Sequence, residues 1–270
     1  MRPVYEFGNN EQTAGRARAL GVQLVKAADE VITSGGIVVD QDKEHLFYLL
    51  YGWWRMVNRS AAALWLLDDA GYTVESAPIV RNILEHTYSM VWLHDAGDPA
   101  LTVVEVAAQE YRQKLLANMR RTNWRIVRDA DIEILPPVGV PAEGDPDHAI
   151  HVKLSGEFRM FDTLVVAYDR GDVYPVYRYL CSLSHATAFT ANAYLERDGE
   201  NISARGVAAR AGYADVIWTT VSLTQAGVIM SPLIGGDPLK RLLNRAAADL
   251  GVEAPSFLRD QRRAPLPATA

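Results

Sequence analysis

The segment from Val74 to Ala96 constrains this chain most, because it is apolar on nearly every helical face and yet carries charge at its centre. Arg81-Asn82-Ile83-Leu84-Glu85-His86 lies between Ser76-Ala77-Pro78-Ile79-Val80 and Tyr88-Ser89-Met90-Val91-Trp92-Leu93. A helix that is apolar all round belongs in an interior. A charge carried there must be paired, or it costs on the order of several kcal/mol. The chain is therefore expected to wrap this helix with others and to supply partners for its ions.

Further helical patterns follow one another along the chain, and no stretch alternates with period two. Thr13 to Thr33 is amphipathic, with Leu20, Leu24, Ala27, Ala28 and Val31 on one side, and Gly35-Gly36 stops it. Asp42 to Ala70 is rich in aromatic residues and ends at Gly71. Asp98-Pro99 opens a helix that runs towards Ala130. Helical periodicity returns over His151 to Asp169, Asp172 to Glu196, Val207 to Met230 and Asp237 to Leu250. Between Asp129 and Asp147 lies a long proline-rich, acidic connection, of a length uncommon in a compact domain unless it serves as a lid, a mobile loop or an insertion. The fold class expected is all-α: a single multi-helix bundle of about seven or eight helices over residues 1–260, with Val74 to Ala96 and Asp172 to Glu196 central. Residues 261–270 read as a disordered tail.

Charge and cysteine content narrow the function classes. A formal charge of −6 argues against a generally basic nucleic-acid coat but leaves room for a local basic patch. The one cysteine, Cys181, excludes an intrachain disulfide and fits a reducing compartment. The first residues contain no apolar run of signal length, and no uninterrupted apolar stretch of about 18 residues occurs elsewhere. A soluble, cytoplasmic protein with no membrane partner is expected.

Arg81 and Glu85 stand four apart on one helical face, continued by Tyr88 and Trp92. They read either as a structural ion pair or as part of a site. His86 lies roughly 140° around the helix from Arg81, so a second helix or subunit must complete any site. A second cluster, Tyr177-Arg178-Tyr179-Leu180-Cys181-Ser182-Leu183-Ser184-His185, sets Arg178 and His185 seven apart with Cys181 and Ser182 between them. A guanidinium, an imidazole and a hydroxyl facing one pocket can bind an anion or move a proton. Each charged group here also has a purely structural reading, hydrogen-bonded within the core. Arg55 and Arg59, beside Asn58, add two cations among Trp53, Trp54, Met56 and Val57. If Arg55, Arg59, Arg81 and Arg178 share one interior cavity, Glu85 alone cannot neutralise them, and a phosphate or carboxylate ligand follows.

Other chemistry is weaker. His148-Ala149-Ile150-His151 has a metal-like spacing at a loop edge without further ligands, and the Glu-x-x-His pairs of helical di-iron bundles are absent, so no metal or cofactor is expected. Phosphate-loop, dinucleotide-turn and nucleophile-elbow motifs do not occur. Cys181 reads as a buried small residue, with His185 keeping a nucleophile role open. The basic run Arg112, Lys114, Arg120, Arg121, Arg125 and Arg128 is a solvated face or a polyanion contact.

With Arg81 to Glu85 followed downstream by Tyr177-Arg178 and Ser182 to His185, residues 40–197 resemble a widespread bacterial all-helical family known only as a domain of unknown function. Arg81-Asn82-Ile83-Leu84-Glu85-His86 also resembles the arginine-polar-to-histidine signature of HEPN-type helical ribonucleases and nucleotide-binding proteins, and Arg178 to His185 fits its looser spacing, with Tyr179 in place of the polar residue. That resemblance implies metal-independent endoribonuclease or nucleotide- and RNA-binding activity in a toxin or phage-defence setting, and a homodimer in which arginine and histidine of two subunits meet. His86 or His185 would be the general base on a ribose 2′-hydroxyl, and Arg81 or Arg178 would stabilise the charged phosphorane. Arg55, Arg59, Glu85, Tyr177 and Ser182 would line the binding site, with RNA or a phosphate-containing ligand as partner. The alternative is a non-catalytic helical binding or interaction protein whose charged cluster is structural.

Overall fold

A computed structural model describes residues 10–35, 37–128, 132–168, 173–208 and 212–250. The protein is an all-α helical bundle with one small two-stranded hairpin. The expected tail, 261–270, lies outside the described residues. From sequence, 1–260 is expected to be one domain; the described residues cluster into two compact units, one within 1–94 and 165–270 and one within 95–164.

In the first unit, helices α1 (Glu11–Thr33), α2 (Glu44–Asp69) and α10 (Ala214–Met230) pack on one another, and α11 (Lys240–Asp249) closes against α10. Asn10 caps α1 by accepting the Thr13 N–H, and Gly35 ends it with a positive φ that any other residue type would strain to adopt. Helix α10 is buried on almost all sides. It is long and apolar enough to cross a membrane, yet most of it is covered by protein, as suits a core helix. Thr220 Oγ1 donates to the Ala17 carbonyl at 2.9 Å, a hydroxyl placed where α1 and α10 touch.

Helix α3 (Ala77–Ala96) buries Val80, Ile83, Leu84, Tyr88, Met90, Val91, Trp92 and Leu93, as its all-round apolar pattern requires. The other helix expected at the centre is not there. The pattern over Asp172 to Glu196 breaks into α8 (Val173–Ser184), α9 (Ala188–Asn192) and strand β1 (Leu195–Asp198), which pairs antiparallel with β2 (Asn201–Ala204) around Gly199-Glu200. Within α8 only Val173 and Leu180 are buried. Just beyond α8, Thr187 and Thr190 form a reciprocal capping box that starts α9. Both strands are wholly exposed, so no period-two apolar pattern marked them in the sequence. Tyr194 donates to Glu75 and so ties the start of the hairpin to the turn before α3.

The second unit holds α4 (Asp98–Arg121), the short α5 (Arg125–Arg128) and α6 (His148–Arg159); α7 (Phe161–Tyr168) leads from it back into the first. Helix α4 opens one residue earlier than the Asp98 cap expected from sequence, with Gly97 at the cap and Pro99 in the first turn. Helices α4 and α6 lie together, joined by Arg159 to Glu110 at 2.6 Å. The described part of the proline-rich connection is irregular and runs beside α4, where Gln109 donates to the Leu135 carbonyl at 2.9 Å.

Candidate functional site

Arg81 projects from α3 one turn before Glu85, and Glu85 Oε1 accepts both Arg81 Nε at 3.2 Å and Arg81 Nη2 at 3.1 Å. Tyr177 of α8 donates its hydroxyl to the same oxygen at 2.8 Å, and the guanidinium lies over its ring, 5.5 Å from the centroid. The remaining guanidinium nitrogen, Nη1, is 3.2 Å from His185 Nε2. Arginine has no acceptor, so in any hydrogen bond between them His185 Nε2 is the acceptor. The cluster thus joins α3 to α8 and to the turn beyond it across 104 residues of chain.

It sits at the edge of the core and not sealed within it. The Arg81 and Glu85 side chains keep 27% and 33% of their exposure, and His185 is exposed. Burial, the largest influence on Arg81, works against its charge, but the charge and hydrogen bond of Glu85, with help from Tyr177, outweigh it and raise its pKa. Burial and then Glu85 push the Tyr177 phenol well above its ordinary range, with Cys181 adding to the effect.

His185 lies one residue past the end of α8, and the capping threonines position it. Thr190 Oγ1 donates to the His185 carbonyl and Thr187 Oγ1 to the Ser182 carbonyl, both at 2.6 Å. Sequence reasoning missed these two residues. The available signal was Thr187-x-x-Thr190, which has the form of a capping box with threonine where glutamate or glutamine is usual.

The structure brings together Arg81, Glu85, Tyr177 and His185 and leaves the other expected residues apart. Arg178 is exposed: on a continuous helix it would share the face of His185, but the helix ends first. His86 bonds its own helix through Nδ1 to the Asn82 carbonyl at 2.8 Å, as the 140° offset from Arg81 demands. Ser182 turns back to the Tyr179 carbonyl at 2.6 Å. Arg55 pairs with Asp29 of α1 at 2.7 Å, and Arg59 is exposed. The interior cavity lined by four arginines therefore does not form, and the argument for an anion buried in it falls.

A separate face of α8, carrying Val176, Leu180 and Leu183, lines an apolar cavity of about 300 Å³ with Val74, Ala77 and Ala214. None of the clustered charged groups lines it. Among the described residues no group of three or more His, Cys, Asp and Glu side chains is arranged to hold a metal. Compared with protein-family models, curated proteins and solved structures, the chain matches none.

Proposed function

We propose that the protein is a metal-independent endoribonuclease in which Arg81 and His185 act on the scissile phosphate. The observation that carries this reading is the Arg81 Nη1–His185 Nε2 contact of 3.2 Å at an exposed end of the cluster. It puts a fixed cation beside an imidazole nitrogen, the two groups that attack of a ribose 2′-hydroxyl on phosphorus needs. On binding, a phosphate oxygen replaces His185 as the acceptor for Nη1. His185 Nε2 then takes the 2′-hydroxyl proton, the 2′-oxygen bonds to phosphorus, and the 5′-oxygen leaves and is protonated by water. One chain holds both groups, so the reading needs no second subunit to complete the pair.

A second reading is favoured by Glu85, which already holds two guanidinium N–H groups and the Tyr177 hydroxyl. An arginine so neutralised serves equally as a staple between α3 and α8 in a non-catalytic RNA- or phosphate-binding protein.

Labelled RNA incubated with purified protein and a chelator separates the two. A general base contributes about 10²- to 10⁴-fold, so His185→Ala is expected to lose nearly all cleavage with its unfolding midpoint unchanged, whereas His86→Ala stays close to wild type. Arg81→Ala is expected to lose cleavage as well and to cost about 1–2 kcal/mol of stability, between the values for exposed and buried pairs. No cleavage of several RNAs by the wild type, or cleavage unchanged in His185→Ala, establishes the staple reading instead.

A further inference from the structure

From Tyr111 to Arg128 the chain carries six basic residues and no acidic one, although its net charge is −6. Along α4, Tyr111, Lys114, Asn118 and Arg121 recur at i, i+3, i+7 and i+10, which places them in one stripe about 15 Å long. All four are exposed, and exposed Trp124 and Arg125 follow just beyond the helix end. Tyr111 and Trp124 are 67% and 55% exposed. Basic residues in a last helical turn offset the helix dipole, which accounts for Arg120 and Arg121. That effect does not reach Lys114 and gives no reason for two large aromatic side chains in water.

Among the described residues, no acid of the connection pairs with the stripe. Glu143, Asp145 and Asp147 of the connection are exposed, and Asp145 is occupied by the Ala142 N–H at 2.8 Å. Lys114, Arg121 and Arg125 make no ion pair among the described residues. We infer that the stripe from Tyr111 to Arg125 binds single-stranded nucleic acid, with Lys114, Arg121 and Arg125 on phosphates and Tyr111 and Trp124 stacked on bases. Cations alone would suit any polyanion. Exposed aromatic rings interleaved with them select a partner that has flat bases as well as phosphates, and a duplex keeps its bases stacked on each other. The inference rests on this surface and not on the Arg81–His185 site.

Fluorescence anisotropy of the full chain with labelled single-stranded DNA and RNA of about 16 nucleotides tests it, in chelator and over about 50 to 200 mM salt. DNA has no 2′-hydroxyl to attack, so its binding is read apart from any cleavage. Tyr111→Ala and Trp124→Ala are each expected to weaken binding about tenfold. Lys114→Ala combined with Arg121→Ala is expected to flatten the plot of log affinity against log salt by about 1.4, roughly 0.7 for each phosphate no longer neutralised. All these side chains are exposed, so unfolding midpoints should not move; if an alanine variant unfolds early, Tyr111→Leu, Trp124→Leu and Arg121→Gln replace it. Binding of RNA alone or of both strands supports the inference and distinguishes the sources. No binding at low salt, equal affinity for duplex DNA, equal competition by polyglutamate, or indifference to both aromatic substitutions overturns it.

Discussion

Glu85 Oε1 gathers three donors, two from Arg81 and one from Tyr177, and this single oxygen holds α8 against α3. The arrangement favours the neutral phenol. Burial and the adjacent carboxylate both penalise a phenolate, so the folded protein keeps its Tyr177 proton at a pH where the unfolded chain, with a pKa near 10.0, has lost it. The folded state then binds more protons than the unfolded one, and stability falls as pH rises above that value. Below it the contribution is fully present. Tyr177→Phe is expected to be less stable than wild type near neutrality, by about 1 kcal/mol for a hydrogen bond to a charged group at a half-exposed site. It is also expected to lose less stability between about pH 10 and 11, which thermal unfolding across that range measures. Parallel alkaline slopes for the two proteins would show that Tyr177 does not titrate as its surroundings dictate. Of this cluster, the Arg81–Glu85 pair was legible in the sequence, since four-residue spacing on a helix is a local rule. The bond from Tyr177 was not, because nothing local links residues 92 apart.

At the scale of elements, close approach of helices decides which glycines can change. A Cβ on Gly21 of α1 would lie 2.9 Å from Trp65 and 3.0 Å from Thr220, where α1 meets α2 and α10. Neither neighbour can yield freely, for Trp65 is a rigid ring in the core and Thr220 is fixed by its bond to the Ala17 carbonyl. Gly21→Ala gains up to about 1 kcal/mol of helix propensity but forces overpacking that costs about 1–3 kcal/mol, so a net loss is expected. Gly52 of α2 has open space at its Cβ position, and Gly52→Ala is expected to stabilise by about 0.5–1 kcal/mol. Denaturant unfolding of the two variants should move their midpoints in opposite directions. A stabilised Gly21→Ala would mean that these helices can move apart without cost.

At the scale of the whole molecule, chain order sets Asp95–Leu164 between the two parts of the larger unit. Within this segment the described stretch from Ile132 to Asp147 has no helix or strand, and Glu133 and Glu143 are exposed in it. Backbone that is not locked in a helical ladder enters a protease cleft most readily. A glutamate-specific protease is therefore expected to cut residues 95–164 first at Glu133 or Glu143, before Glu105, Glu110 or Glu157, which lie in α4 and α6. Mass spectrometry of early fragments reads the order. First cuts at Glu105 or Glu110 would place α4 among the least stable helices, and would weaken the case for a stripe preformed upon it.

The sequence by itself determined that the protein is helical, the extents of α1, α2, α3 and α11 to within about three residues, and that α3 is an interior helix with an ion pair on it. These are properties of side-chain period and capping over a few neighbouring residues. Tertiary structure alone decided that α10 and not the segment after Asp172 runs through the core, that Arg55 belongs to Asp29, and that Arg81 meets His185 while His86 turns to its own helix. Those outcomes depend on which apolar faces find each other across many tens of residues; the stop of α8 at Ser184, just before the Thr187–Thr190 capping box, is a local feature. A helical wheel drawn through that stop puts Arg178 where only His185 arrives.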